Sequence, residues 1–134
     1  MKARGLLRLA TEKQATIAFE WPRGCRLWSH HLAQQIVSGN NLKTYQCHGC
    51  ALGLRSMPRK YKGQPLFKAW KTAANNERLG ALVDAARCEC KQNHAPVQGI
   101  DAELSGMYTP AFARLVMKGV TREEKGALTS SLVD

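Results

Sequence analysis

The sequence predicts a small α/β domain in which a βαβ unit is extended by an antiparallel hairpin and flanked by helices, with zinc as a stabilising ion. Strand-like and helix-like hydrophobic patterns alternate through the first half of the chain. A basic loop rich in proline and glycine then joins two short apolar runs. The 134 residues are enough for one domain with a buried core. We place this domain at residues 1–120 and expect residues 121–134 to form a polar, frayed tail.

The βαβ unit is predicted from the order of patterns near the start of the chain. Lys2–Lys13 has leucines at helical spacing and is expected to be a short helix before the unit. Ala15–Trp21 is rich in strand-forming residues and ends at a Pro-Arg-Gly turn, so it is the expected first strand. Cys25–Val37 repeats large apolar residues at helical spacing and is the expected crossover helix. A helical crossover makes the strands on either side of it parallel.

The hairpin is predicted between residues 45 and 72. Tyr45–Leu54 is a short apolar run, which indicates a buried strand. Arg55–Pro65 contains two prolines, one glycine and four cations, so we expect a loop. Leu66–Thr72 follows as the antiparallel return strand. Two later helices are predicted at Asn75–Ala86 and Met107–Val120, joined by an irregular segment.

The charge of the chain is concentrated in its first half. The net charge is +10, and residues 1–67 hold 11 basic but only 2 acidic residues, whereas residues 68–134 hold 9 basic and 8 acidic ones. A basic face attracts polyanions, most often nucleic acid, so nucleic acid is the expected partner. The same face could instead bind an acidic protein, as a phage-type inhibitor would. The cations expected to contact phosphate are Arg23, Arg26, Arg55, Arg59, Lys60 and Lys62.

Neither a membrane span nor a signal peptide is predicted. No apolar run approaches the roughly 20 residues that a membrane helix needs. The apolar run near the start is too short for a signal peptide. We therefore expect a cytoplasmic or nuclear location, without secretion and without a membrane partner. The oligomeric state cannot be predicted from these patterns.

Five cysteines in a chain without a secretion signal favour metal ligation over a disulfide framework. The preferred set of zinc ligands combines a Cys-x-Cys pair, a histidine four residues after that pair, and one cysteine from the predicted hairpin. Two alternatives use the Cys47-x-x-Cys50 pair or replace one ligand by Cys25, and a third makes Cys47 and Cys50 small core residues. The preferred ligands are Cys50, Cys88, Cys90 and His94.

Two patterns suggest catalytic residues. Glu20 lies at the end of the first predicted strand, where α/β sheets often place an active site, although it could equally pair with a nearby arginine at the rim. The run from His30 and His31 through Asn41 to the Cys47-x-x-Cys50 pair resembles the catalytic stretch of HNH nucleases. That resemblance implies that His31 activates water and that Asn41 holds a divalent metal. The alternative is that both histidines are ordinary surface residues of a helix.

A second resemblance covers roughly residues 15–108. The strings FEWPRGCRLW, GCALGL and FKAWKT, followed by Cys90-x-x-x-His94, resemble a methyltransferase-like segment of mobile-element polyproteins and phages. The resemblance concerns the C-terminal half of that domain and implies that Glu20 matches an acid that steadies a target cytosine. The glycine-rich motif for the methyl donor and the Pro-Cys nucleophile are missing, so methyl transfer by this chain alone is not expected. The sequence thus favours a basic, zinc-stabilised nucleic-acid-binding domain of mobile-element or phage origin, with a metal-dependent nuclease or a protein inhibitor as alternatives.

Overall fold

A three-stranded antiparallel sheet forms the centre of the protein in a computed structural model, which describes the backbone of residues 2–133 and the side chains of residues 5–121. The strands are β1 (Ala18–Pro22), β2 (Lys43–His48) and β3 (Ala69–Ala74), in the spatial order β1-β3-β2. β3 is antiparallel to both neighbours, so β1 and β2 run in the same direction. The predicted α/β class, the parallel direction of the first two strands and the antiparallel return strand are therefore confirmed.

The return strand lies between the two parallel strands rather than at the edge of the sheet. The burial of the strands explains this order. Trp70, Thr72, Ala73 and Ala74 of β3 are all at most 4% exposed, so both faces of this strand are covered. β1 contains exposed and half-buried positions only, which suits an edge strand.

Helices cover both faces of the sheet. The helical segments that the structure describes in residues 2–133 are α1 (Lys2–Glu12), α2 (His31–Gly39), α3 (Glu77–Ala85), α4 (Ile100–Leu104) and α5 (Pro110–Val133), with 3-10 turns at Arg26–Ser29 and Gly49–Leu52.

The core has two parts, one on each face of β3. On one face Trp70 packs with Leu79 and Val83 of α3 and with Phe112 of α5. On the other face Ala73 forms a smaller cluster with Ile17 and Leu42, and side chains of α1 and α2 pack against it. Burial of large apolar side chains on both faces holds the helices to the sheet.

Three predicted elements differ from the structure near their ends. The strand expected at Tyr45–Leu54 ends at His48, where the chain enters a 3-10 turn, and β3 begins at Ala69 rather than Leu66. The helix expected from Cys25 is divided, because His30 caps α2 by accepting a hydrogen bond from the amide of Leu32 (3.2 Å).

Two further differences concern α3 and α4. The N-cap of α3 is Asn76, which accepts a hydrogen bond from the amide of Leu79 (3.0 Å). The neighbouring Asn75, the first residue of the helix expected from the sequence, instead accepts a bond from the amide of Ile17 (2.8 Å) and so connects β3 to the chain before β1. α4 forms within the segment that was expected to be irregular.

The last predicted segment is only partly described. α5 begins at Pro110 and its backbone continues to Val133. The side chains after Thr121 lie outside the described residues. The frayed tail expected at residues 121–134 therefore stays a prediction. No helix of the described part is both long and apolar enough to cross a membrane.

Candidate metal centre

Three cysteines and one histidine from two distant parts of the chain meet beyond the end of β2. The Sγ atoms of Cys50, Cys88 and Cys90 and a ring nitrogen of His94 all lie within 4.8 Å of one another. The Sγ of Cys88 is 3.4 Å from the Nε2 of His94. Tetrahedral zinc, with bonds of about 2.3 Å to sulfur and about 2.0 Å to nitrogen, separates its ligand atoms by roughly 3.5–3.8 Å. The four groups are positioned to hold a metal ion, and their chemistry is compatible with zinc.

A tight turn directly after β2 positions Cys50. The 3-10 turn covers Gly49–Leu52, and Gly53 ends it with a left-handed φ of 83°, a conformation that glycine adopts without strain. The carbonyl of Cys50 accepts hydrogen bonds from the amide of Gly53 (3.4 Å) and from Nη1 of Arg55 (3.1 Å). Cys50 is only 3% exposed, so its thiol forms the inner side of the centre.

The other three ligands come from the irregular segment between α3 and α4. At its start, the amide of His48 donates to the carbonyl of Ala86 (2.9 Å), and Nδ1 of His48 accepts from the amide of Cys88 (2.8 Å). At its end, the amide of Ala95 donates to the carbonyl of Pro65 (3.0 Å), and Ala95 is buried in the core. Hydrogen bonds at both ends thus hold this segment against the turn that carries the buried thiol.

The thiols of the cluster differ in acidity. Burial, together with hydrogen bonds to Cys88 and Cys90, raises the pKa of Cys50 to about 12. The pKa of Cys88 is lowered, first by a hydrogen bond with the backbone of Cys90 and then by the neighbouring thiols. Without a bound cation, the buried thiol of Cys50 therefore stays protonated. A bound metal ion favours the thiolate form of every ligand and would displace that proton.

The two remaining cysteines are not ligands of this centre. Cys47 is fully buried and packs in the main core, and burial raises the pKa of its thiol to about 12. Cys25 is half-buried and is not a member of the cluster. Cys47 and Cys50 do not form a chelating pair because Cys47 belongs to β2, where its side chain enters the core, and Cys50 belongs to the turn beyond it. The interpretation of Cys47 as a core residue is confirmed.

Aromatic and basic side chains surround the centre. The ring of Phe67, which is 39% exposed, lies 4.6 Å from the ring of His48 and 5.7 Å from that of His94. Burial lowers the pKa of His48, and the positive charges of Arg87 and Arg23 lower it further, so both arginines are close to this ring. Sequence reasoning missed Phe67, His48 and Arg87. His48 and Arg87 are direct neighbours of Cys47 and Cys88 in the chain, a signal that could have found them, whereas Phe67 is far from every cysteine in sequence.

The six predicted phosphate contacts are all exposed, and the described side chains include no ion pair for any of them. Arg23 directly follows β1, where its amide donates to the carbonyl of Ala69 (2.9 Å). Arg26 begins the next 3-10 turn. Arg55 has a structural role, because its guanidinium donates to the carbonyls of Cys50 and Leu54. The other three lie in the loop between β2 and β3, and they are Arg59, Lys60 and Lys62.

The structure does not bring His31 and Asn41 together. His31 begins α2 and its ring stacks on that of His30, with 4.5 Å between ring centroids. Asn41 follows the other end of the helix, in a left-handed conformation with φ of 53°. Ten residues of helix correspond to about 15 Å at a rise of 1.5 Å per residue. The nuclease interpretation therefore gains no support from their arrangement.

Glu20 is half-buried within β1 and faces α5 rather than the metal centre. It pairs across the sheet with Thr72, and no described side chain forms an ion pair with it, including the nearby arginines suggested by the sequence. Burial raises the pKa of its carboxyl, while a hydrogen bond with Tyr108 and the charge of Lys68 partly oppose this rise. Glu20 thus belongs to a second polar site, which is separate from the Cys/His cluster.

Comparison of the chain with known protein families, with curated proteins and with solved structures gives no match. The resemblance to methyltransferase-like segments is consequently not supported by any relative. The function must be inferred from the chemistry of the sites themselves.

Proposed function

We propose that this protein binds nucleic acid through an exposed basic and aromatic surface whose shape is maintained by a structural zinc ion. The observation that carries the proposal is that cations accompany the Cys/His cluster, since Arg87 directly precedes Cys88 in the chain and Arg55 donates to the carbonyl of Cys50. Arg23 and His48 flank Ala69 on opposite sides of β3, and the basic loop of residues 55–65 begins at Arg55, which contacts the backbone of Cys50. We call this region the basic surface, defined by Arg23, Arg59, Lys60, Lys62, Phe67 and Arg87.

Zinc is the ion that the ligand set favours. Three thiolates and one imidazole suit a closed tetrahedral site, and four protein ligands leave no open position for a substrate. Such an ion would connect the turn after β2 to the segment before α4, which otherwise has little regular structure. The conformational entropy lost in ordering that segment would be offset by the metal–ligand bonds.

Nucleic acid is the partner that the basic surface favours. Four of its cations form no ion pair with a described side chain and are available to replace the counterions of a phosphate backbone, namely Arg23, Arg59, Lys60 and Lys62. The exposed ring of Phe67 offers a face on which a base can stack. Lys60 lies 5.2 Å from the centroid of the Tyr61 ring, so a cation and an aromatic ring also occur together within the loop.

The metal part of the proposal is tested by elemental analysis of the purified protein together with thermal unfolding. We expect one zinc ion per chain in the native protein. Cys50→Ser should lose the ion and unfold at a clearly lower temperature. Cys25→Ser is the matched control, because this cysteine lies outside the cluster, and it should retain both zinc and stability. Full zinc occupancy in the Cys50→Ser variant would contradict the proposed site.

The nucleic-acid part is tested by titrating single-stranded and duplex oligonucleotides at two or more salt concentrations. Binding should weaken steeply as salt increases, and replacing both Lys60 and Lys62 by alanine should reduce the slope of log K against log salt by roughly 1–2. Arg8→Ala is the control, because Arg8 is exposed on α1 and is already paired with Glu12 (3.0 Å). Absence of binding even at about 50 mM salt, or an unchanged slope in the double variant, would contradict the proposal.

A further inference from the structure

A cleft of about 350 Å³ opens between β1, β3 and the first half of α5, on the face of the sheet where α5 packs. Its walls are mainly apolar, and the rings of Tyr108 and Phe112 stack along one side with 4.9 Å between their centroids. The remaining lining from α5 includes the half-buried Val116 and the exposed Ala113 and Met117. An apolar cleft of this size can enclose a small aromatic molecule.

Two polar atoms in this cleft are buried and have no hydrogen-bond partner. They are Oε1 of Glu20 and Oγ1 of Thr72, and the two residues face each other across the β1–β3 pair. Thr72 is only 4% exposed, so water cannot readily satisfy its hydroxyl. An unsatisfied buried polar atom costs about 1–3 kcal/mol, and such atoms are rare in native proteins. Two of them on adjacent strands, lining the same cleft, indicate that a ligand completes their hydrogen bonds.

The charge around the cleft indicates which ligand this is. The carboxylate accepts hydrogen bonds and the threonine hydroxyl can accept as well as donate, so a ligand with two N–H donors at one edge can satisfy both atoms. Lys68 is the nearby cation, and its Nζ already donates to Oγ of Ser105 (2.9 Å), so it does not occupy the carboxylate. Glu20 already shares a hydrogen bond with Tyr108, so a planar cation would donate one N–H to Oε1 of Glu20 and a second to Oγ1 of Thr72, while its ring lies against the aromatic wall.

We propose that this cleft binds a small aromatic amidine or amino-substituted heteroaromatic molecule, with its N–H edge on Glu20 and Thr72 and its ring beside Tyr108 and Phe112. The inference depends on the unpartnered atoms and on the lining of the cleft. It does not depend on zinc or on nucleic-acid binding, because none of the four metal ligands and none of the basic-surface residues lines the cleft.

The test uses benzamidine and benzoate, which have nearly the same shape but opposite charge. With about nine non-hydrogen atoms, benzamidine should bind the full-length protein with a Kd near the millimolar range. The measurement is an NMR titration that follows the amides of Thr72 and Tyr108. Benzoate should cause no saturable shift at these positions. Equal binding of the two probes, or no binding of benzamidine at about 10 mM, would overturn the proposal.

Two variants separate binding in the cleft from binding elsewhere. Glu20→Gln keeps the size of the side chain but removes its charge, and it should weaken benzamidine binding at least about tenfold. Ala113→Phe places a ring at the exposed entrance of the cleft and should abolish benzamidine binding. Ala81→Phe, at an exposed position of α3 outside the cleft, is its control and should leave benzamidine binding unchanged. Unchanged affinity in both Glu20→Gln and Ala113→Phe would overturn the proposal.

Discussion

Nδ1 of His48 accepts a hydrogen bond of 2.8 Å from the backbone amide of Cys88. The bond joins the last residue of β2 to the first cysteine of the segment that supplies three of the four metal ligands. It requires a neutral imidazole with its proton on Nε2. The sheet thus positions a ligand of the centre through a side chain that is not itself a ligand.

His48→Phe tests the importance of this bond. Phenylalanine keeps an aromatic ring beside Phe67 but cannot accept the proton of the Cys88 amide. Loss of an outer-shell partner commonly lowers metal affinity by about 10- to 100-fold, and we expect a decrease in that range. Competition with a zinc chelator of known affinity measures the change. His31→Phe, at an exposed position on α2, is the control and should leave the affinity unchanged. Equal affinities in both variants would show that the hydrogen bond does not position Cys88.

Thiol labelling distinguishes Cys47 from the other cysteines. Its burial and its pKa of about 12 leave roughly one thiolate in 10⁴ at pH 8. In native protein containing zinc, we expect only Cys25 to react readily with a thiol reagent, because the cluster thiols are bound to metal. Denaturant with a chelator should release all five. Reaction of Cys47 at the rate of Cys25 in the native protein would contradict its core position, and peptide mapping by mass spectrometry identifies the labelled residue.

Glu20→Gln should increase stability at neutral pH. Burial raises the folded-state pKa of Glu20 above the ordinary value of 4.5, so the folded protein binds its proton more tightly than the unfolded chain does. Protonation of Glu20 therefore stabilises the folded protein. This contribution is complete at pH values below the pKa of Glu20 in the unfolded chain, and it is lost as the pH rises through the higher pKa of Glu20 in the folded protein. The gain from glutamine should be present at pH 7 and disappear near pH 4. Urea unfolding at both pH values measures it, and an equal gain at both would contradict the assigned cause.

Gly119→Ala should destabilise the packing of α5 on α3. A Cβ atom at this position would lie 2.9 Å from Cα of Leu79, which is fully buried, so the two helices would have to separate. Overpacking of this kind costs about 1–3 kcal/mol, while replacing a helical glycine by alanine returns up to about 1 kcal/mol. We expect a net decrease in the free energy of unfolding.

Gly39→Ala is the matched control for this substitution. Gly39 ends α2, and a Cβ atom there would have no heavy atom within 4 Å apart from its chain neighbours and the backbone of its own helix. Only the higher helix propensity of alanine then affects stability, so the free energy of unfolding of this variant should be unchanged or slightly increased. Equal stability of the two alanine variants would show that α3 and α5 adjust without cost.

Local patterns predicted most of the elements, and the structure shows why their ends were less accurate. Strand-forming composition located β1 and helical spacing located α3, because both depend on neighbours within a few residues. The hairpin was located by the proline- and glycine-rich basic loop between its two apolar runs. The end of β2 depends instead on the turn that delivers Cys50, and the cap of α3 depends on Asn75 already being bonded to Ile17. These are contacts between residues far apart in the chain, and no local pattern contains them.

The sequence by itself determined the α/β class, the uneven charge and the chemical type of the four metal ligands. These properties follow from residue identity and from spacing along the chain. Only the tertiary structure decided that β3 lies between β1 and β2, that Cys47 is a core residue while Cys50 joins the Cys/His cluster, and that Glu20 shares a cleft with Thr72. Each of these outcomes depends on which distant side chains are buried together, and that is fixed by the packing of the whole fold around β3.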